Sequence, residues 1–178
     1  MTKDTHVINY RRNLLLVATS SVLISVLGTI GVLFWAGWIA LPQTNRQVMV
    51  HDMGSQVMPF DLSQTTHIFE MTESGGIQQV IAKDPGDSAQ VTFIQQHIQH
   101  EVMMFDAGDF SDPMSLHGGD MPGVKELSAG VAQINIEYAV LPDGAQITFT
   151  TQDLHLITEI HRWFGAQLSD HGSDAIAR

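Results

Sequence analysis

The sequence predicts an α+β domain held behind one N-terminal transmembrane helix, and three observations carry that prediction. Residues 14–41 run for 28 positions without a charge or a proline. Beyond them, a strand–turn–strand–helix pattern occurs twice. The 178 residues are enough for one domain beyond the apolar run.

The apolar run comes first. At about 1.5 Å per residue it would extend roughly 40 Å, more than a bilayer's hydrocarbon core requires. Lys3, Arg11 and Arg12 precede it, and acids dominate after it. That asymmetry places residues 1–13 as a cytoplasmic stub and the C-terminal domain in the periplasm of a bacterial inner membrane. Trp35 and Trp38 stand near the outer end, where aromatic rings favour the interface. A cleaved signal peptide is the rival reading. Its apolar core would be about half as long, and Trp38-Ile39-Ala40 lacks a small-x-small cleavage pattern. Arg11-Arg12 also bears a faint likeness to a twin-arginine signal.

Composition then excludes function classes. From Pro42 onward there are five Lys/Arg and eighteen Asp/Glu, a formal charge of −13 that repels nucleic acid and anionic lipid. The chain has no Cys, so disulfides, iron–sulfur clusters, thiol catalysis and lipoprotein anchoring are excluded. Eight of its nine His lie beyond the membrane segment. They are the main chemical signal.

Residues 42–65 lack sustained periodicity and read as a linker, with a short strand at Gln47–Val50. The domain proper spans residues 66–172. Residues 66–72 alternate as a strand, Glu73-Ser74-Gly75-Gly76 turns, and residues 77–82 form a second strand. Asp87 or Ser88 caps a helix over residues 89–106. Residues 108–123 are rich in Gly, Pro and Asp and read as a long loop. A short helix follows at 124–129, then strands at 131–140 and 145–151, and a last helix from about 154 to 169. Residues 173–178 read as a frayed tail. The ββα–ββα order suggests a weak internal duplication. The expected architecture is an antiparallel sheet of about four strands with two helices on one face.

On a helical wheel Val91, Ile94, Ile98, Val102 and Phe105 form the core face of the first helix. His97 and His100 share a second stripe one turn apart, with Glu101 one turn from His97. This HxxHE spacing can offer two imidazoles and a carboxylate to one ion. The order differs from HExxH and HxxEH peptidase motifs. In the last helix His161 falls inside the expected stripe of Leu154, Ile157, Ile160, Phe164 and Leu168. There it is either a hydrogen-bonded core residue or a ligand reaching across. The loop adds His117, with Met114 and Met121 at a spacing that would suit Cu(I), and three Asp without EF-hand spacing. No phosphate-cradling loop, dinucleotide fingerprint or GxSxG elbow is present, and no Ser is marked as a nucleophile.

The run from His67 to about Ala175 also resembles a family of small bacterial proteins that often carry the label aspartate carbamoyltransferase. The resemblance rests on His67-x-Phe69-Glu70-Met71-Thr72, Gly108-Asp109-Phe110-Ser111-Asp112-Pro113, His117-Gly118-x-Asp120-Met121-Pro122-Gly123, His161-x-Trp163-Phe164 and Ser169-Asp170-His171-Gly172. Transcarbamoylases have two α/β domains and a Ser-Thr-Arg-Thr loop, and this chain has neither. The resemblance therefore implies a shared domain in which His117, His161 and His171 belong to the pattern, and it implies no carbamoyl transfer.

Together these readings predict a membrane-anchored periplasmic domain that binds a transition metal, with copper favoured and zinc or iron as the other ions. The candidate ligands are His97, His100, Glu101, His117, His161, Met121 and His171, and the role is sensing, storage or delivery. The alternative is a non-catalytic accessory subunit of a membrane protein complex. A metal-dependent hydrolase or oxidase comes third.

Overall fold

The computed structural model describes residues 19–32 and 44–178. The chain divides into two compact units, Met1–Pro42 and Gln43–Arg178. In the first, residues 19–32 form helix α1, with every described side chain exposed. Ser25 and Thr29 return their hydroxyls to the carbonyls of Ser21 and Ser25, both at 2.9 Å, which satisfies those donors within the helix. The remainder of the 14–41 segment, with Trp35 and Trp38, lies outside the described residues. Among the described residues no helix is long and apolar enough to cross a membrane.

The second unit contains helices α2 (Asn45–Val57), α3 (Ser88–Asp106), α4 (Ser111–His117), α5 (Val124–Gly130) and α6 (Leu154–His171). Its strands are β1 (Thr65–Thr72), β2 (Gly75–Ala82), β3 (Asn135–Leu141), β4 (Gly144–Thr150) and β5 (Ala175–Ala177). The sheet order is β3-β4-β2-β1-β5. The two hairpins meet through β2 and β4, which pair antiparallel from Gly75↔Thr150 to Ile81↔Gly144. Helix α3 packs on β2, β3 and β4, whereas α6 packs on β1, β2 and β5. The expected α+β class and the order of hairpins and long helices therefore hold.

Two features correct the expected sheet. It has five strands, and it is mixed, because β5 pairs parallel with β1 (His67↔Ala175 to Phe69↔Ala177). Gly172, at φ 56°, ends α6 and redirects the chain to the sheet edge. Three residues of strand are too short to show an alternation, so the expected tail is structured.

Residues 45–57 are the third correction. The expected linker with a strand at Gln47–Val50 is helix α2, opened by a capping box: the Gln47 amide donates to the Thr44 hydroxyl while the Gln47 side chain accepts from the Thr44 amide. The helix is weakly amphipathic, and only Val50 and Gly54 are fully buried among its described positions. Tertiary contacts with α6 and α4 hold it, and they leave no mark on its hydrophobic pattern. The long expected loop likewise contains α4.

The core lies between the sheet and α3/α6. Val91, Ile94, Ile98, Val102 and Phe105 of α3 are all buried, as the wheel predicts. The phase of α6 differs. Leu154 is 79% exposed, and the buried side instead carries Leu156, Ile160, Trp163, Phe164 and Gln167. Trp163 is the centre, with ring contacts to Phe105, Phe110, Phe149 and Phe164 at 5.5–5.7 Å. Gly123 opens α5 at φ 87°, where a Cβ would run into the Glu159 carbonyl.

Candidate functional site

A cavity of about 40 Å³ opens where the end of α2, α3, α4, α6 and the β1–β2 hairpin meet. A buried water needs roughly 10–15 Å³ by this measure, so the space suits an ion with a water or two, and is small for an organic substrate.

The sheet floor comes from register. Phe69 pairs with Gln78 and His67 with Val80, which puts His67 and Gln78 on the core face as diagonal neighbours. Both line the cavity. Helix α3 contributes Glu101 and Phe105, one turn apart, and α4 contributes Asp112, Leu116 and His117. Helix α6 contributes Gln167 and His171, also one turn apart, and Met58 stands just beyond α2.

Three imidazoles gather here. His67 stacks on His171, with centroids 4.6 Å apart and planes 14° apart, and His117 meets His171 edge-on at 5.0 Å. Nδ1 of His117 donates to Oδ2 of Asp170 at 3.0 Å, which leaves Nε2 with the free lone pair. Arg46 of α2 grips both oxygens of Asp170 and donates to the His117 carbonyl at 2.8 Å. The partners Arg46 and His117 hold the Asp170 carboxyl below its ordinary range against the opposing effect of burial. Nδ1 of His67 has no hydrogen-bond partner among the described residues. Burial pushes the His67 ring down to about 4, and it lowers His97, His117 and His171 as well. All four rings are therefore neutral at pH 7, the form that ligates metals.

Glu101 is the reverse case. Burial, together with a hydrogen bond and repulsion from Asp112, pushes its carboxyl up to about 8. Three of the four buried side-chain atoms that lack a hydrogen-bond partner among the described residues, His67 Nδ1, Gln78 Oε1 and Glu101 Oε1, belong to residues of this cavity.

The structure distributes the sequence-derived candidates unevenly. His117, His171 and Glu101 line the cavity. His97 is buried behind them, with its Nε2 3.7 Å from Glu101 and its ring edge-on to Phe60. His100 points to solvent. Met121 is 5% exposed within the hydrophobic core, and Met114 packs against that core, so neither lines the cavity beside His117. His161 is a hydrogen-bonded structural residue: its Nε2 donates to the carbonyls of Thr72 at 3.0 Å and Gly75 at 2.8 Å, clasping the β1–β2 turn. His161→Ala is expected to cost about 1–3 kcal/mol in urea unfolding through the orphaned carbonyls. Sequence reasoning missed His67, Gln78, Asp170 and Arg46 as parts of the site. Alternation sets His67 on the same strand face as Phe69, and a His paired in this way with an aromatic core residue is the available signal.

Among the described residues, no group of three or more His, Asp or Glu side chains is assembled so that it could hold a metal ion as it stands. No family model, curated protein or solved structure matches the chain.

The shifts set a pH signature for the metal-free protein. Below the ordinary His value of 6.5, the unfolded chain takes up protons that the four buried rings refuse. Stability therefore falls as the solution is acidified, by about 3 kcal/mol from His67 alone. Glu101 acts oppositely: the folded state keeps a proton that the unfolded state releases, so stability declines as pH rises from 4.5 to about 8. Four rings outweigh one carboxyl in acid. The urea midpoint is expected to peak near pH 6.5, and Glu101→Gln should abolish the decline between pH 6.5 and 8, worth about 2 kcal/mol.

Proposed function

We propose that this chain is a non-catalytic, single-pass, membrane-anchored protein whose exported domain takes up one transition-metal ion, copper favoured, for sensing, storage or delivery. His67, His117 and His171 are the nitrogen ligands. The observation that carries the reading is the gathering of three buried imidazoles at one ion-sized cavity, one of them oriented by a carboxylate. A carboxylate on the far nitrogen fixes a ligand's tautomer and raises its basicity, the usual support for a metal-bound His. Binding requires the His67–His171 stack to open, because parallel rings cannot both aim a lone pair at one point.

The absence of a marked nucleophile and the size of the cavity favour binding over catalysis. The acidic domain charge would also draw cations toward it.

The test is equilibrium dialysis of the full chain in detergent against copper, zinc and iron separately, with bound metal quantified. One equivalent of a single ion, lost in His117→Ala/His171→Ala and kept in His100→Ala/His155→Ala, is the expected result. A folded protein that retains no metal overturns the proposal and returns the accessory-subunit reading.

A further inference from the structure

Two of the unpaired atoms at the cavity are acceptors by chemistry. Gln78 Oε1 is an amide oxygen, and His67 Nδ1 is a ring nitrogen that offers a lone pair in the tautomer protonated at Nε2. Glu101 adds a carboxyl oxygen without a hydrogen-bond partner. Gln78 is 91% buried, His67 96% and Glu101 94%. Buried polar atoms are seldom left unpaired, so the arrangement calls for an occupant that meets acceptors. A cation does this without needing hydrogens to match.

We infer that Gln78 and Glu101 supply oxygen ligands to the ion that the three imidazoles hold, so that the site takes a borderline divalent ion, Cu(II) or Zn(II), and disfavours Cu(I). This rests on the metal-binding reading given above. The donor softness carries it. Nitrogen and oxygen ligands suit borderline divalent ions, whereas Cu(I) selects thiolate and thioether sulfur. The chain has no Cys, Met121 is committed to the hydrophobic core, and among the described residues Met58 is the one sulfur that lines the cavity. Gln78 and Glu101 stand on β2 and α3, whereas His117 and His171 stand on α4 and α6, so the cavity draws its oxygen and nitrogen donors from separate elements.

The experiment measures Zn(II), Cu(II) and Cu(I) affinities by chelator competition for the full chain in detergent, in the wild type and in Gln78→Leu, Glu101→Gln and Met58→Leu. Circular dichroism checks that each variant is folded, and Gln78→Glu serves as a second floor variant if Gln78→Leu is not. The expected result is that Gln78→Leu and Glu101→Gln each weaken Zn(II) and Cu(II) at least tenfold with little change for Cu(I), that Met58→Leu leaves the divalent ions unchanged, and that Gln78→Glu strengthens them. Divalent binding that depends on the three His and is unmoved by both oxygen variants overturns this inference alone. Preferential binding of Cu(I), lost in Met58→Leu, also overturns it. A wild-type protein that binds none of the ions overturns the metal-binding reading itself. Ordered water would then be what satisfies these atoms.

Discussion

Trp163→Ala is expected to lower the unfolding free energy by about 3–5 kcal/mol, a large part of the stability of an ordinary domain. Trp163 is fully buried and touches four other aromatic rings from α3, the α3–α4 connection, β4 and α6 itself. Removing the indole would leave a cavity between rings held by three separate elements, which cannot all close on it. Urea denaturation checks this, and a cost below about 1 kcal/mol would show that the cluster is not the keystone of the core. Trp163→Phe should recover most of the loss. It keeps the ring, and it removes an indole N–H that has no partner.

Asp170→Asn is the second large effect, and it falls on function. The carboxylate joins His117 of α4 to Arg46 of α2, and both contacts are side-chain hydrogen bonds with charge behind them. The amide is neutral and can present its NH₂ group to His117, which would favour the wrong tautomer and turn the lone pair away from the cavity. Changes of this kind at a ligand's supporting carboxylate typically reduce metal affinity 10–100-fold. Zinc affinity by chelator competition should fall by that factor while the metal-free fold persists. Arg46 is half exposed, so its own share is modest, and Arg46→Met should weaken binding less than Asp170→Asn. Equal effects would mean that α2 docking, and not imidazole orientation, is what Asp170 provides.

Much of the fold was legible because it depends on local periodicity. The alternation of residues 66–72 and the 3.6-residue repeat of Val91 to Phe105 each predict their element, and the helical repeat also predicts its buried face. On β1 Ile68 and Phe69 are both buried and Met71 is exposed, so the alternation does not assign a face. The elements that were missed are the ones that tertiary contact creates. Helix α2 announces itself only through the Thr44–Gln47 capping box, and β5 exists because α6 delivers three residues to the edge of β1. The phase of α6 departs from its apolar stripe because Leu154 and Ile157 extend the stripe into a first turn that the fold does not bury.

The site followed the same division. His117 stands in a segment that the sequence marks as chemically unusual, His171 enters only through the family resemblance, and both reach the cavity. His97 and His100 share a turn of α3, yet one is buried and the other solvated, because the core boundary runs between them. His161 sits on α6 as expected, but the β1–β2 turn claims its proton. Alternation puts His67 on the same strand face as Phe69. Its meeting with His171 could not be read in this way, since it depends on a parallel strand and a helix more than a hundred residues away.

The most direct test of the central claim follows the histidine side-chain nitrogens by NMR while one equivalent of Zn(II) is added to ¹⁵N-labelled full-length protein in detergent. The account predicts that the rings of His67, His117 and His171 shift together and reach their end point at one equivalent, with His100, His155 and His161 unmoved. Shifts confined to the solvent-exposed His100 and His155, rising gradually without a stoichiometric break, would contradict it.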